Sequence, residues 1–420
     1  MKKLPLAIAL LLFLSANAQN SDWILYNEGN SDLPDDLIRS IVFDGNGHKW
    51  IATNGGLAEF DDVNWNIYTT DNSPLVTNQI TSVAVESDSI KWIGCYFQGG
   101  LARYDGQNWS VYNESNSGLP NNWITSIAID SSGHKWIGTN GGGLAEFDDS
   151  NWTIYNTSNS DLPSNSVEVV EIDDNGILWI GTSSGTNDSG LSKFDGQNWT
   201  LYNTDNSGLA GNDVTAIALD SNQHVWTGSY YQDMSYFDGQ DWILHDTVRE
   251  GGSGYATTIA IDNEGSKWIG TYGFGNTIGF AKFDGTNWFV LNENNSELPV
   301  NNVLTIAIDE NGSKWIGMYY GGLAVYSGSG LVTSLSSSAE HTDKNLILYP
   351  IPANDQLNIK TTNNETIKEI SLYNSIGELV LLKVTNGKFA SLDLSKLGNG
   401  VFYVKVNCVE SAYVKKIILK

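Results

Sequence analysis

Apolar and polar positions along this chain alternate in short bursts, and the bursts recur in a fixed order. One pass runs Trp123-Ile-Thr-Ser-Ile-Ala-Ile-Asp130, then Ser-Ser-Gly-His, then Lys135-Trp-Ile-Gly-Thr139, a Gly-rich loop, Leu144-Ala-Glu-Phe-Asp148 and Trp152-Thr-Ile-Tyr155. These predict four β-strands, A to D, with turn residues between them. In strand A, Ile124, Ser126 and Ala128 are expected on one face and Thr125, Ile127 and Ile129 on the other. Both faces are apolar enough to be covered by neighbouring sheets.

The same pass occurs seven times. Trp23, Trp65, Trp109, Trp152, Trp199, Trp242 and Trp288 open the D-type strands, while Trp50, Trp92, Trp136, Trp179, Trp226, Trp268 and Trp315 sit in the B-type strands. A period in the forties built only from strands predicts propeller blades, because one four-stranded sheet cannot bury both its faces alone. The chain opens with a lone D-type strand, Trp23 to Tyr26, and the last repeat stops after its C-type strand, Leu323 to Tyr326. The two ends are expected to complete one blade and leave no free edge. Each D-x-x-G segment, such as Asp130 to Gly133, supplies the acceptor and positive φ of a tight A-B hairpin.

The expected fold is therefore all-β: a seven-bladed β-propeller over 19–327, closed by its N-terminal strand. A small polar stretch, 328–344, reads as a flexible linker. Residues 345–420 alternate short apolar runs with turn punctuation, as in Leu392-Asp-Leu-Ser-Lys-Leu-Gly-Asn-Gly-Val-Phe-Tyr-Val, and predict a small Ig-like β-sandwich.

Composition narrows the function. Lys plus Arg number 22 against 48 Asp plus Glu, a formal charge of −26, which repels phosphate backbones and argues against nucleic acid as a partner. Residues 1–18 carry Lys2 and Lys3, an apolar run from Leu4 to Leu14 and the small tripeptide Ala16-Asn17-Ala18. They read as a secretory signal peptide cut between Ala18 and Gln19. The run is too short for a membrane anchor, so no transmembrane segment is expected. Cys95 and Cys408 fall in different predicted domains and imply no disulfide. The chain is expected to be a monomer.

The pattern D-x-x-G-x-x-W-I-G-T followed by G-G-L-A-x-F-D resembles the two-component regulator propeller repeat over about residues 20–327. In that family such repeats commonly form the exported sensor region of hybrid histidine kinases that respond to polysaccharide fragments. No kinase segment accompanies the repeats here, so the resemblance does not imply signalling through this chain. The tail, from Tyr349-Pro-Ile-Pro-Ala-Asn-Asp-Gln-Leu to the terminal Lys-Lys-Ile-Ile-Leu-Lys420, resembles the type A C-terminal sorting domain of the type IX secretion system of Bacteroidota. That resemblance implies the type IX machinery as a partner, and release from the cell or attachment to its surface.

Candidate chemistry is sought where the repeats depart from their own consensus, since such positions are free of the demands of the fold. The D-A and B-C loops should emerge together around the mouth of the central channel. Four B-C loops carry aromatics in place of Thr-Asn or Thr-Ser: Tyr96 with Phe97, Tyr230 with Tyr231, Tyr272 with Phe274, and Tyr319 with Tyr320. Trp123, outside both Trp series, starts strand A of repeat three, where repeat six has Tyr255. Flat rings at a cleft suit the C–H faces of sugars; the same rings would also serve to plug the channel or pack loops. Arg39 and Glu168 interrupt a mostly Thr position of strand A. They are candidates for a ligand or for loop hydrogen bonds.

Repeats five and six diverge most, with Asp233 and Met234 for Gly-Gly, His245 at the repeat's Tyr position, and Arg249-Glu250 in an altered D-A loop. His245, Tyr255 and Arg249 would form the base, acid and carboxylate clamp of a polysaccharide lyase if the fold brought them together. His48, His134 and His224 fall in hairpin turns and are expected to be solvent-exposed. No P-loop, dinucleotide fingerprint, nucleophile elbow or metal-ligand spacing occurs, and no cofactor is expected. The sequence thus points to a secreted, non-catalytic recognition module, with glycans as the expected ligand. A polysaccharide lyase or hydrolase and an adhesion or protein-interaction scaffold are the alternatives.

Overall fold

In a computed structural model of the chain, the described residues are 22–185, 188–230, 234–245, 255–273, 278–328, 346–349, 356–361, 365–373, 379–397, 400–409 and 412–419. The signal segment with Ala18 and Gln19, almost all of the linker, and Tyr231, Asp233, Arg249, Glu250 and Phe274 lie outside them. Every regular element among the described residues is a strand.

Seven four-stranded antiparallel sheets form the blades, six of them in the chain order A-B-C-D and the seventh taking its D strand from the start of the chain. The A strands are Ile38–Phe43, Ile80–Val85, Ile124–Ile129, Ser166–Ile172, Val214–Leu219, Tyr255–Ile261 and Val303–Ile308. Each touches the A strand before and after it, and Val303–Ile308 meets Ile38–Phe43, so the ring closes. Trp23–Tyr26 is the outermost strand of the last blade, in register from Trp23 opposite Tyr326 to Tyr26 opposite Leu323. The expected split blade is present, and it supplies the only strand that Leu323–Tyr326 has on its outer side.

Strict alternation in strand A, expected from the sequence, does not hold. A β-bulge lies between Ile124 and Ser126, and its counterpart recurs in every blade. The extra residue puts Ile124 on the same side as Ile127 and Ile129, while Ala128 faces the next interface. The bulge residue itself is Arg39, Thr81, Thr125, Glu168, Thr215, Thr257 or Leu304. The threonines fasten the ring from within: Thr81, Thr125, Thr215 and Thr257 donate through Oγ1 to the carbonyls of Ile124, Val167, Ala256 and Val303 in the following blade, at 2.6–2.7 Å.

Blade-to-blade packing explains the rest of the consensus. Gly94 in strand B faces the first residue of the next blade so closely that a Cβ would lie 2.6 Å from Ile124 Cγ2. The Asp of D-x-x-G accepts turn amides as expected, Asp44 Oδ1 taking those of Asn46 and His48 at 3.1 and 3.0 Å. Its second oxygen accepts from the indole of Trp50 at 3.0 Å. The preceding lysine is the part the sequence hid. Lys49, Lys91, Lys135, Lys267 and Lys314 each lie 4.3–5.1 Å above the strand-B Trp of the blade before. Desolvated cation–π contacts of this kind each contribute on the order of 2 kcal/mol.

The tail forms a three-stranded sheet, Leu346–Tyr349, Gln356–Thr361 and Phe389–Asp393, and a four-stranded one, Leu379–Gly387, Ile367–Tyr373, Gly400–Cys408 and Ala412–Leu419. Leu357, Ile359, Ile370, Leu372, Val404 and Val406 bury their side chains between them as an Ig-like sandwich.

Candidate functional site

The B-C loops and the starts of the A strands are tied together at one end of the propeller. Tyr96, Tyr230 and Tyr319 donate their backbone N–H to Gln79, Asp213 and Asn302 at 2.8–2.9 Å, each just ahead of its own strand A. Gly100 and Gly322 donate to Asn122 and Asp36 of the following blade at 2.9 and 2.8 Å. The loops predicted to share a face therefore share it.

The aromatic residues singled out from the sequence converge in two sets. In blades two and three, Tyr96 meets Trp123 edge-on at 4.5 Å, and Phe97 lies 6.3 Å from the same indole. In blades five to seven, Tyr230 stacks on Tyr255 at 3.9 Å, Tyr255 meets Tyr272 at 5.8 Å, Tyr272 meets Tyr319 at 5.3 Å, and Tyr319 meets Tyr320 at 4.4 Å. The two sets are built alike. In each, the ring at the start of one blade's strand A leans on the loop ring of the blade before.

Arg39 of blade one stands between the two sets. Its guanidinium carbon is 5.5 Å from the centre of the Tyr96 ring, and its Nε donates to Asn54 Oδ1 at 3.1 Å. Burial pushes its pKa down, against the opposing influence of Tyr96, Tyr319, Tyr320 and Asp35. A guanidinium stays charged throughout the physiological range, so this is a half-buried cation ringed by tyrosines. Glu168, its counterpart at the bulge of blade four, is turned instead to its own blade, accepting from Ser183 Oγ and from Ser166 Oγ at 3.4 Å. Among the described residues the two make no ion pair.

Phe97 and Tyr320 are the unusual members. Both have left-handed backbones, φ 55° and 61°, and both rings are mostly in solvent, 60% and 64% exposed. Blade three has Gly141, φ 98°, at the same place. A bulky residue in that region costs roughly 1–2 kcal/mol. Neither ring recovers this by burial, so packing does not account for them.

Between the loops of blades two and three runs a groove of about 450 Å³, lined by Phe97, Trp123, Gln98, Asn121, Asn122 and Asn140 with Asn113 to Ser115. Asn121 Oδ1 accepts the Trp123 amide, and Asn122 Oδ1 accepts that of Glu114. The NH₂ groups of Asn121, Asn122 and Asn140 hold no hydrogen bond among the described residues. An aromatic wall beside free amide donors is a surface for hydroxyl-bearing rings.

The lyase constellation does not assemble among the residues described. His245 stacks on Trp226 at 5.1 Å and touches Phe283 at 5.0 Å, at the blade five to six interface where other blades put the Tyr of strand D. Tyr68 on Trp50 at 6.0 Å is the matching pair. Burial, with Lys267 nearby, lowers the His245 pKa, and its neighbours are not those of Tyr255. The turn histidines also differ from expectation. His48 and His134 pair through Nδ1 with Glu59 and Glu146 at 2.8 and 2.9 Å, and His224 with the Tyr236 hydroxyl at 2.6 Å, all partly buried. No group of three metal-ligating side chains occurs among the described residues. No helix there is long and apolar enough to cross a membrane.

Fold and loops define a β-propeller with one elaborated face and a separate Ig-like tail. Residues 347–420 match the secretion system C-terminal sorting domain, and 118–141 and 161–184 match the two component regulator propeller. The chain thus carries regulator-type propeller repeats and a sorting domain, and it is a secreted or cell-surface protein. Similar solved structures include PorZ, a surface component of the type-IX secretion system of Porphyromonas gingivalis, with 18% identity and TM-score 0.61 over 92% of this chain and 60% of that one. The extracellular domain of a hybrid two component system from B. thetaiotaomicron has 19% identity and TM-score 0.63, over 95% of this chain and 57% of its own. A streptogramin B lyase has 12% identity and TM-score 0.58, over 72% and 96%. At these identities the likeness is one of fold, and the chain spans less than two thirds of the first two proteins. No curated protein matches the sequence.

Proposed function

We propose that this chain is an exported recognition module, without chemistry of its own, whose loop face binds polysaccharide. The observation that carries the reading is the pair Phe97 and Tyr320: exposed rings held on left-handed backbone at the place where blade three has Gly141. Strain without burial marks a position kept for contact with something outside the fold. The Phe97–Trp123 groove adds the free amides that sugar hydroxyls require. The sorting domain would hand the chain to the type IX machinery, as PorZ's place in that system suggests.

The test is calorimetric titration of the purified full chain with a panel of neutral and acidic polysaccharides, with the same mixtures assayed for new reducing ends and unsaturated sugars. Saturable binding without products is expected, lost on Phe97→Gly or Trp123→Ala. Products would favour a lyase or hydrolase. Silence on both counts would favour a protein-binding scaffold.

A further inference from the structure

Among the described residues of the propeller, Arg39 is the one cation at the end where the B-C and D-A loops emerge. The lysines of strand B lie toward the opposite end, over the tryptophans of the preceding blades. Arg103 sits there too, 3.6 Å from Asp105 at the C-D turn. Of the other cations of the described propeller, Lys49, Lys91, Lys135 and Arg103 pair with carboxylates, and Lys314 donates to the Gly328 carbonyl. Arg39 has one hydrogen bond from Nε, to a neutral amide, and its ring contact with Tyr96. No carboxylate pairs with its guanidinium, although Asp35 stands near enough to influence it. The nearby acids are engaged elsewhere. Asp35 Oδ1 caps the Leu37 amide at 2.7 Å, and Glu28 and Asp36 exchange bonds with each other's backbone at 3.1 and 2.9 Å.

The repeat does not ask for this residue. At the same bulge, threonine fastens its blade to the next, and placing arginine there gives up the equivalent tie between blades one and two. The terminal guanidinium nitrogens are left as a planar pair of donors beside a wall of tyrosines. Tyr96 joins that wall to Trp123 and hence to the amide-lined groove. A carboxylate is the planar anion that accepts two parallel N–H bonds from a guanidinium.

Resting on the reading of this face as a polysaccharide site, we propose that Arg39 binds the carboxylate of a uronic acid while the Phe97–Trp123 groove takes the neutral sugars beside it. The surrounding charge restricts the polymer further. A chain of formal charge −26, with Asp35 beside Arg39 and Glu114 lining the groove, repels a densely charged polyanion. The ligand class is therefore a neutral backbone carrying isolated uronate groups.

The experiment titrates the purified full chain with glucuronoxylan, with the same polymer after reduction of its carboxyl groups, and with dextran sulfate. Glucuronoxylan should bind at least about ten-fold more tightly than its reduced form, as expected for a charge-assisted bidentate pair. Arg39→Thr, which restores the residue of the repeat, should abolish that difference; Arg39→Lys should recover only part of it. Equal affinity for the two forms, or a difference that survives Arg39→Thr, overturns the assignment, and if Phe97→Gly still removes binding the polysaccharide reading stands. Preference for dextran sulfate overturns the carboxylate. Failure of all three to bind, together with the wider panel, overturns the polysaccharide reading itself.

Discussion

Lys91 Nζ in blade two lies 2.9 Å from Asp44 Oδ2 in blade one, with only 2% and 1% of the two side chains exposed. The same carboxylate accepts from the Trp50 indole, and the lysine lies 4.5 Å above that ring. One acid therefore closes its own hairpin, holds its blade's tryptophan and anchors the next blade. Removing one partner of a buried pair leaves an uncompensated charge, so Asp44→Ala should cost about 3–5 kcal/mol in denaturant unfolding at pH 7. Burial raises the Asp44 pKa, but the bonds from Trp50, Lys91 and the His48 amide outweigh it and the net shift is downward. A depressed carboxylate stabilises fully above its unfolded value of about 3.9 and loses this as pH falls through the folded value. The gap between wild type and Asp44→Ala should accordingly narrow below that pH.

Glu171 behaves in the opposite sense. It faces the interface between blades four and five where the equivalent residues are Val42, Ala84, Ala128, Ala218, Ala260 and Ala307, and burial lifts its pKa to about 7. A raised carboxylate is harmless while protonated and destabilises as pH rises through the folded value. Glu171→Ala should thus be neutral near pH 4 and stabilise by up to about 3 kcal/mol at pH 8. Thermal unfolding across that range decides it, and a pH-independent effect would contradict the assignment.

Phe97→Gly and Tyr320→Gly separate strain from packing. Glycine relieves the left-handed backbone but adds entropy to the unfolded chain, so stability should be unchanged or higher by up to about 1 kcal/mol. A loss of more than that in the melting profile would show that the rings hold the loops together.

His245→Tyr restores the ring that other blades stack on their tryptophan. The fold should be at least as stable, and any ligand binding should be unaltered. A reaction abolished by this one change would return His245 to catalysis.

Deleting Trp23–Tyr26 uncovers the edge of Leu323–Tyr326 and removes the Trp23 ring from Tyr326, 4.5 Å away. Self-association should follow, visible as concentration-dependent light scattering. A monodisperse truncated chain would mean that closure is dispensable.

Much of the architecture was legible because the repeat states it seven times. Trp spacing fixes the blade count, and Trp23–Tyr26 with Leu323–Tyr326 fixes the closure. The bulge was not legible, because Ile124-Thr-Ser-Ile reads as plain alternation until strand B imposes its register. The aromatic candidates were visible as departures from consensus, although Tyr231, Phe274 and Arg249 fall outside the described residues. His245 was a departure of the same kind that turned out to be an interface ring.

The sequence by itself determined what depends on local period and on ends: strands, blades, ring closure and the sorting tail. Only tertiary structure decided which departures meet. Arg39, Tyr96, Trp123 and Tyr319 come from four different blades, and ring closure brings the last blade's Tyr319 beside the first blade's Arg39. Likewise Lys91 and Asp44 look like members of two separate turns until blades stack. A repeat records how each blade folds, whereas a site made of single deviations from several blades acquires its geometry only when the circle is complete.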